Sequence, residues 1–327
     1  MPSPHRLLTK WMVALLWLFP GQLLQGQPLQ VDTNISSAHR PQIETGPDDK
    51  TPVVNITAPG ADGVSRNVFE EYNVGEEGII YNNNPDGEPG TPGAFPPSYL
   101  AQFPLMVNPH LNGHAARVIL TEVSGFNPSL LQGYTEIYGR RADYILANPN
   151  GIYADGAGFI NTHRITLTTG LPQWSARGGL RGFSVRRGVV EIRGKGMVTN
   201  VPNLPSSPLA IISRVAKLSS QLWSPDEVSI YTGCNDFNYH TQEAVPRSGS
   251  TTDRPHLAID ASLLGNIQAG KITLIATEEG VGVKAPAMLS AGGDITLQAA
   301  GPVSLPKAVQ SHQNISVTSD DLLALSG

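Results

Sequence analysis

Five adjacent acidic pairs, Asp48-Asp49, Glu70-Glu71, Glu76-Glu77, Glu278-Glu279 and Asp320-Asp321, carry the first chemistry to be weighed. Carboxylates that converge could do acid–base work on a glycan or hold calcium. Adjacency works against both, because neighbouring side chains of a strand point to opposite faces, and the pairs read as solvated surface charge. His110 and His114 stand four apart, as helical metal ligands would, but Pro109 and Gly113 argue against a helix there and His-Glu-x-x-His is absent. Gly-x-Ser-x-Gly, a phosphate loop and a cysteine pair are missing too. Cys234 is the single cysteine, read as a small hydrophobe, with a reactive thiol as the alternative. These residues point to no catalytic centre, no metal and no cofactor.

Composition sets the environment. Charged residues make up 15% of the 327, while Gly 34 and Pro 27 are abundant, so the surface must be built from Ser, Thr, Asn and Gln, as in an extracellular β protein. A formal net charge of −5 gives no footprint for nucleic acid or an anionic membrane. His5, Arg6 and Lys10 precede the apolar run 11–19, which Pro20 and Gly21 break, so residues 1–26 read as a signal peptide handled by the general export machinery. No other stretch approaches transmembrane length. Residues 27–51 are polar, turn-rich and without apolar period, the pattern of a flexible leader. With one cysteine there is no internal disulfide, and burial and ladder hydrogen bonds must hold the fold.

From Pro52 onward, short apolar segments end at Gly, Pro or Asn. Strands are expected at 53–56, 64–74, 116–123, 134–139, 142–146 and 189–192, with a Pro- and Gly-dense loop over 82–104. The segment 209–218 reads as strand, although its Ala, Leu, Lys and Arg also suit a helix. Ile272-Thr273-Leu274 recurs as Ile295-Thr296-Leu297 and as Ile315-Ser316-Val317, at intervals of about 20 residues, which suggests rungs of a parallel β-helix. Inward Ile, Leu and Val would stack between rungs, with Thr, Ser and Gln facing water. The alternative is an antiparallel sandwich.

The most informative stretch is Asn148-Pro149-Asn150-Gly151-Ile152, between the apolar run 144–146 and the alternating 165–168. Pro149 sets φ, and Asn150 and Gly151 tolerate positive φ, so a hairpin or a corner between strands is expected. With Gly156, Gly158 to Thr162 and Leu167 to Gly170 behind it, the motif resembles the signature of the two-partner-secretion domain, which opens filamentous haemagglutinin-like exoproteins of Gram-negative bacteria. The similarity covers roughly 52–214 and includes Asn67, Asn73, Asn108-Pro109 and Glu122; Tyr72, His110 and Thr121 depart from the common residues.

The resemblance implies an all-β, right-handed parallel β-helix with extra-helical hairpins or capping strands, and a non-enzymatic secretion domain over 52–250. The repeats of 251–327 would begin a longer array. Asn67, Asn73, Asn108, Pro109, Glu122, Asn148, Pro149, Asn150, Gly151 and Ile152 would form the secretion motif, with the asparagines of 148–152 exposed for recognition. The partner implied is an outer-membrane β-barrel transporter with periplasmic domains. The chain would pass through the periplasm to the cell surface or medium, where a host or neighbouring cell is a further contact. The competing reading is a polysaccharide-active β-helix enzyme, a lyase or hydrolase, which needs distant carboxylates gathered in one outer groove.

Overall fold

The computed structural model describes residues 29–87, 95–248, 253–261, 265–305 and 308–325. The signal-peptide reading at 1–26 lies outside them, as does part of the loop expected over 82–104.

One coil shows how the chain is wound. Ala142–Ala147 lies in a thirteen-stranded sheet, Ile152–Ala154 in an eight-stranded sheet and Gly158–Ile160 in a five-stranded sheet; Thr162–Thr168 then returns to the first. The return strand pairs in parallel with the strand one coil earlier, Tyr144 opposite Ile165 and Leu146 opposite Leu167. Such pairing places like positions above one another. A single inward column therefore runs through Ile119, Tyr144, Ile165, Leu209, Val228, Ile272 and Ile295, all buried. The repeats at 272, 295 and 315 stack in this register, so the architecture is the parallel β-helix and the sandwich is excluded. The segment 209–218 is strand, as Leu209–Ser213 and Val215–Leu218. Between them Arg214 pairs with Glu278 at 3.0 Å, both side chains buried.

Three expectations need correction. Residues 27–51 are not a flexible leader where the structure describes them. Gln30–Val31 pairs antiparallel with Val64–Glu71, and Gln42–Thr45 pairs antiparallel with Pro52–Asn55. Between them Ser36 caps the 3-10 turn Ser37–His39. Each edge strand sets only one apolar side chain, Val31 or Ile43, against the core and otherwise contributes backbone donors and acceptors, so its sequence carries too weak a hydropathy signal to read.

Second, Asn82 and Asn83 belong to the buried strand Ile79–Asn83, not to the loop. The described part of that loop is tied down. The Glu136 carboxylate accepts from Ser98 Oγ (2.7 Å), Tyr99 N (2.8 Å) and Leu100 N (2.9 Å), and Ala101 and Leu105 pack on Val53, Ile80 and Tyr138.

Third, the outer face of the long sheet is not polar throughout. Leu171–Trp174, Leu180–Val185, Asn235–Asn238 and Glu243–Pro246 form an antiparallel flap outside the helix. Its Phe183 and Phe237 share a second core with Leu120, Ile145 and Ile212. Strands buried on both faces read as continuous apolar runs, and 118–120, 144–147 and 209–212 do so.

Ile295 and Leu297 are each 1% exposed. Ile295→Ala and Leu297→Ala should each cost about 2–5 kcal/mol through lost transfer energy and the cavity left. Denaturant melts of the two variants test this, and a loss under about half a kcal/mol in either would contradict the stacking.

Candidate functional site

The corner at 148–152 carries the chain from Ala142–Ala147 to Ile152–Ala154. A corner interrupts the ladder, so its backbone groups need other partners. Asn148 supplies several. Its Oδ1 accepts from Asn150 N at 2.9 Å, closing an Asx turn, while its Nδ2 donates to Asn127 O and Ser129 Oγ, both at 3.0 Å. Pro149 follows with φ already set. Only Gly151 of the expected pair adopts positive φ, at 124°, and a Cβ there would sit 3.1 Å from Val189 O. Ile152 is buried and begins a strand paired on both sides, with Ser129–Leu131 and with Val189–Ile192.

The other motif residues form two groups. Asn73 Oδ1 accepts from Leu130 N at 2.7 Å, and Asn150 Nδ2 donates to Gly125 O at 2.8 Å. With Asn148 on Asn127 O and Gly151 O accepting from Ser129 N, this group converges on the turn 124–130 of the previous coil.

The second group holds a different corner. Asn67 Oδ1 accepts from Thr57 N (3.0 Å); Asn108 Nδ2 donates to Ile56 O (3.0 Å) and Asn82 O (2.8 Å), and its Oδ1 accepts from His110 N (2.9 Å). Pro109 is exposed beside it. Glu122 pairs with Arg66 Nε at 2.7 Å, and that guanidinium lies 5.3 Å from the Trp174 ring centre.

The expectation of exposed asparagines is corrected at Asn148, whose side chain is 0% exposed; Asn67 and Asn108 are equally buried. The backbone groups that Asn148 satisfies lie inside the corner, and its side chain lies there with them. Asn150 is half-buried and remains reachable. Sequence reasoning missed equivalent brackets. Asn83 Nδ2 donates to Ala116 O and Arg140 O while its Oδ1 accepts from Ala116 N, and Asn161, at φ 59°, donates to Ile137 O and Gly139 O. Their signal was asparagine at the end of an apolar run.

Two departures from the common residues explain each other's surroundings. The Tyr72 hydroxyl meets that of Tyr144 at 2.8 Å, and Tyr81 OH meets Thr121 Oγ1 at 2.7 Å, so the added hydroxyls are paired inside the helix. Burial pushes the phenols of Tyr72, Tyr81 and Tyr144 up. A phenol held protonated in the folded state leaves stability intact below the unfolded value near 10 and removes it as pH rises beyond. The denaturant midpoint should therefore fall steeply above about pH 10, and Tyr72→Phe should flatten that fall. An unchanged slope in Tyr72→Phe would show that the cluster does not carry it.

The acidic pairs do not converge. Glu70 accepts from Gln30, Glu71 from Asn127, Glu76 from Lys195 and Glu278 from Arg214. Among the described residues no group of three or more His, Cys, Asp or Glu could hold a metal ion. His110 and His114 face Gln42 and Asn112 O respectively. Cys234 is buried, and burial pushes its thiol up, away from reactivity.

A parallel β-helix whose corners are bracketed by asparagine side chains and whose outer face carries an antiparallel flap defines a secretion module of the filamentous haemagglutinin kind. The family profile of the TPS secretion domain matches residues 30–305, and the chain belongs to that family. The crystal structure of a filamentous hemagglutinin secretion domain superposes with a TM-score of 0.78 at 30% identity, covering 92% of this chain and 96% of that one. The tRNA nuclease CdiA of Yersinia mollaretii is 39% identical over 273 residues, 83% of this chain and 9% of that protein. The 16S rRNA endonuclease CdiA of Enterobacter cloacae is 37% identical over 292 residues, 88% of this chain and 8% of that protein.

The chain thus spans about a tenth of the length of these curated relatives. It is a secretion domain and not a catalytic one, and the glycan-enzyme reading has no support. Its class implies a dedicated outer-membrane transporter.

Asn148→Ala would leave Asn127 O and Asn150 N without their partner in a buried corner. It should cost about 1–3 kcal/mol. Thermal and denaturant melts of the purified variant check this, and a loss too small to measure would mean that the bracket is dispensable.

Proposed function

We propose that the corner at 148–152 and the turn it holds form the surface on which the outer-membrane transporter first engages this protein. The supporting observation is that Asn73, Asn148, Asn150 and Gly151 all spend hydrogen bonds on one turn, 124–130. In this reading the buried asparagines shape the surface, and Pro149 and Asn150 lie at its rim. Asn67, Asn108, Pro109 and Glu122 maintain the neighbouring corner and act through the fold.

The partner is a β-barrel with periplasmic domains. The signal peptide at 1–26 delivers the chain to the periplasm through the general export machinery, and the product reaches the cell surface or the medium. Residues 251–327 begin an array of further coils that pair onto those already formed. Parallel pairing joins segments distant in sequence and closes slowly. A chain that folds slowly can cross the outer membrane extended, and each completed coil then offers its edge to the next. The CdiA relatives suggest delivery of a toxic effector to a neighbouring cell as the purpose of the whole protein.

The test is secretion with a dedicated outer-membrane transporter of this class co-expressed. Asn150→Val with Gly151→Val forces a β-branched residue into the positive-φ position and should abolish export while precursor still accumulates in the periplasm. The ratio of secreted to periplasmic protein is the readout. A ratio equal to wild type would reduce the motif to a turn.

A further inference from the structure

Phe126 is 91% exposed, the most exposed large apolar side chain among the described residues. A lone surface apolar residue needs no explanation, but the setting of this one does. The carbonyl before it, Gly125 O, is held by Asn150 Nδ2 at 2.8 Å, and the carbonyl after it, Asn127 O, by Asn148 Nδ2 at 3.0 Å. Ser124 N donates to Phe69 O at 2.9 Å, and Asn127 Nδ2 donates to Glu71 at 2.6 Å. Gly125 is packed so closely that a Cβ would lie 2.1 Å from Glu70 O. The backbone on both sides of the ring is therefore fixed while the ring itself packs on little. Ordering an aromatic residue this firmly at a solvent-exposed tip lowers the entropy lost when it enters a pocket.

We infer that Phe126 is the aromatic anchor this domain inserts into an apolar pocket of the transporter's periplasmic portion, and that the asparagines of 148–152 are positioning residues for it. The inference rests on the secretion reading above. The Glu70 carboxylate lies beside the turn and is in no salt bridge among the described residues, so the pocket that fits is apolar with a Lys- or Arg-bearing rim. The same carboxylate disfavours an anionic lipid surface as the occupant.

The full chain is expressed with and without its outer-membrane transporter, as wild type and as Phe126→Ala, Phe126→Leu and Phe126→p-benzoylphenylalanine. Because the side chain is almost wholly exposed, Phe126→Ala should melt with wild type. It should nonetheless lower the secreted fraction at least about tenfold, as loss of an interface anchor does, and Phe126→Leu should restore much of it. Photolysis of the benzoylphenylalanine variant should join position 126 to the transporter, while the same residue at Val245, 57% exposed on the flap, should not. Normal secretion of Phe126→Ala overturns the anchor, as does a photoadduct only to lipid or to a second copy. Wild-type secretion that does not need the transporter would overturn the secretion reading itself, a result distinguishable from the other two.

Discussion

The coil from Ala142 to Thr168 turns three corners, and there backbone donors and acceptors leave the ladder. A buried unpaired amide costs about as much as a lost hydrogen bond, so the number of coils the chain can stack depends on closing its corners. Asparagine is suited to this because its side chain both donates and accepts, as a peptide group does. Asn148, Asn108 and Asn83 each work in both directions, accepting from an N–H of their own or an adjoining turn and donating to carbonyls elsewhere. The aliphatic columns contribute most of the burial, but they can form only where the corners bring successive strands back into register.

The legible part of the fold was the part written as repetition. Ile272, Ile295 and Ile315 recur because one inward position is occupied on successive coils, and a period of that kind survives in sequence. The turn at Asn148-Pro149-Asn150-Gly151 was legible through Pro and Gly chemistry, and as a corner its role was open until the strands on either side fell into different sheets. Capping strands were implied by the resemblance, but their position within 27–51 was not legible, since Gln30–Val31 and Gln42–Thr45 each set one apolar side chain, Val31 and Ile43, against the core among polar neighbours. The resemblance also implied extra-helical hairpins, which the flap provides, but which strands it covers was concealed for the opposite reason. Apolar residues on the outer face of the long sheet, such as Leu120 and Ile145, resemble core residues of any strand, and only the covering Phe183 and Phe237 distinguish a second core. At the site, residue identities were readable but exposure was not, because hydrogen-bonding side chains in a turn can face either way.

A signature made of buried brackets behaves differently from one made of contacts. Substituting Asn67 or Asn108 acts first on the fold and only through it on recognition, whereas Pro149 and Asn150 stand where both could be touched. Family resemblance concentrated at corners therefore reports a shared way of closing the coil, and the partner-specific features are free to sit on the outward tips between them.

The first coil carries short antiparallel strands across the thirteen- and five-stranded sheets, Gln30–Val31 on Val64–Glu71 and Gln42–Thr45 on Pro52–Asn55. A strand that runs against the winding breaks the parallel register, so in those two sheets a further parallel rung has no matching ladder on that side. Winding in them is thereby given a direction, from the capped coil towards the carboxyl end.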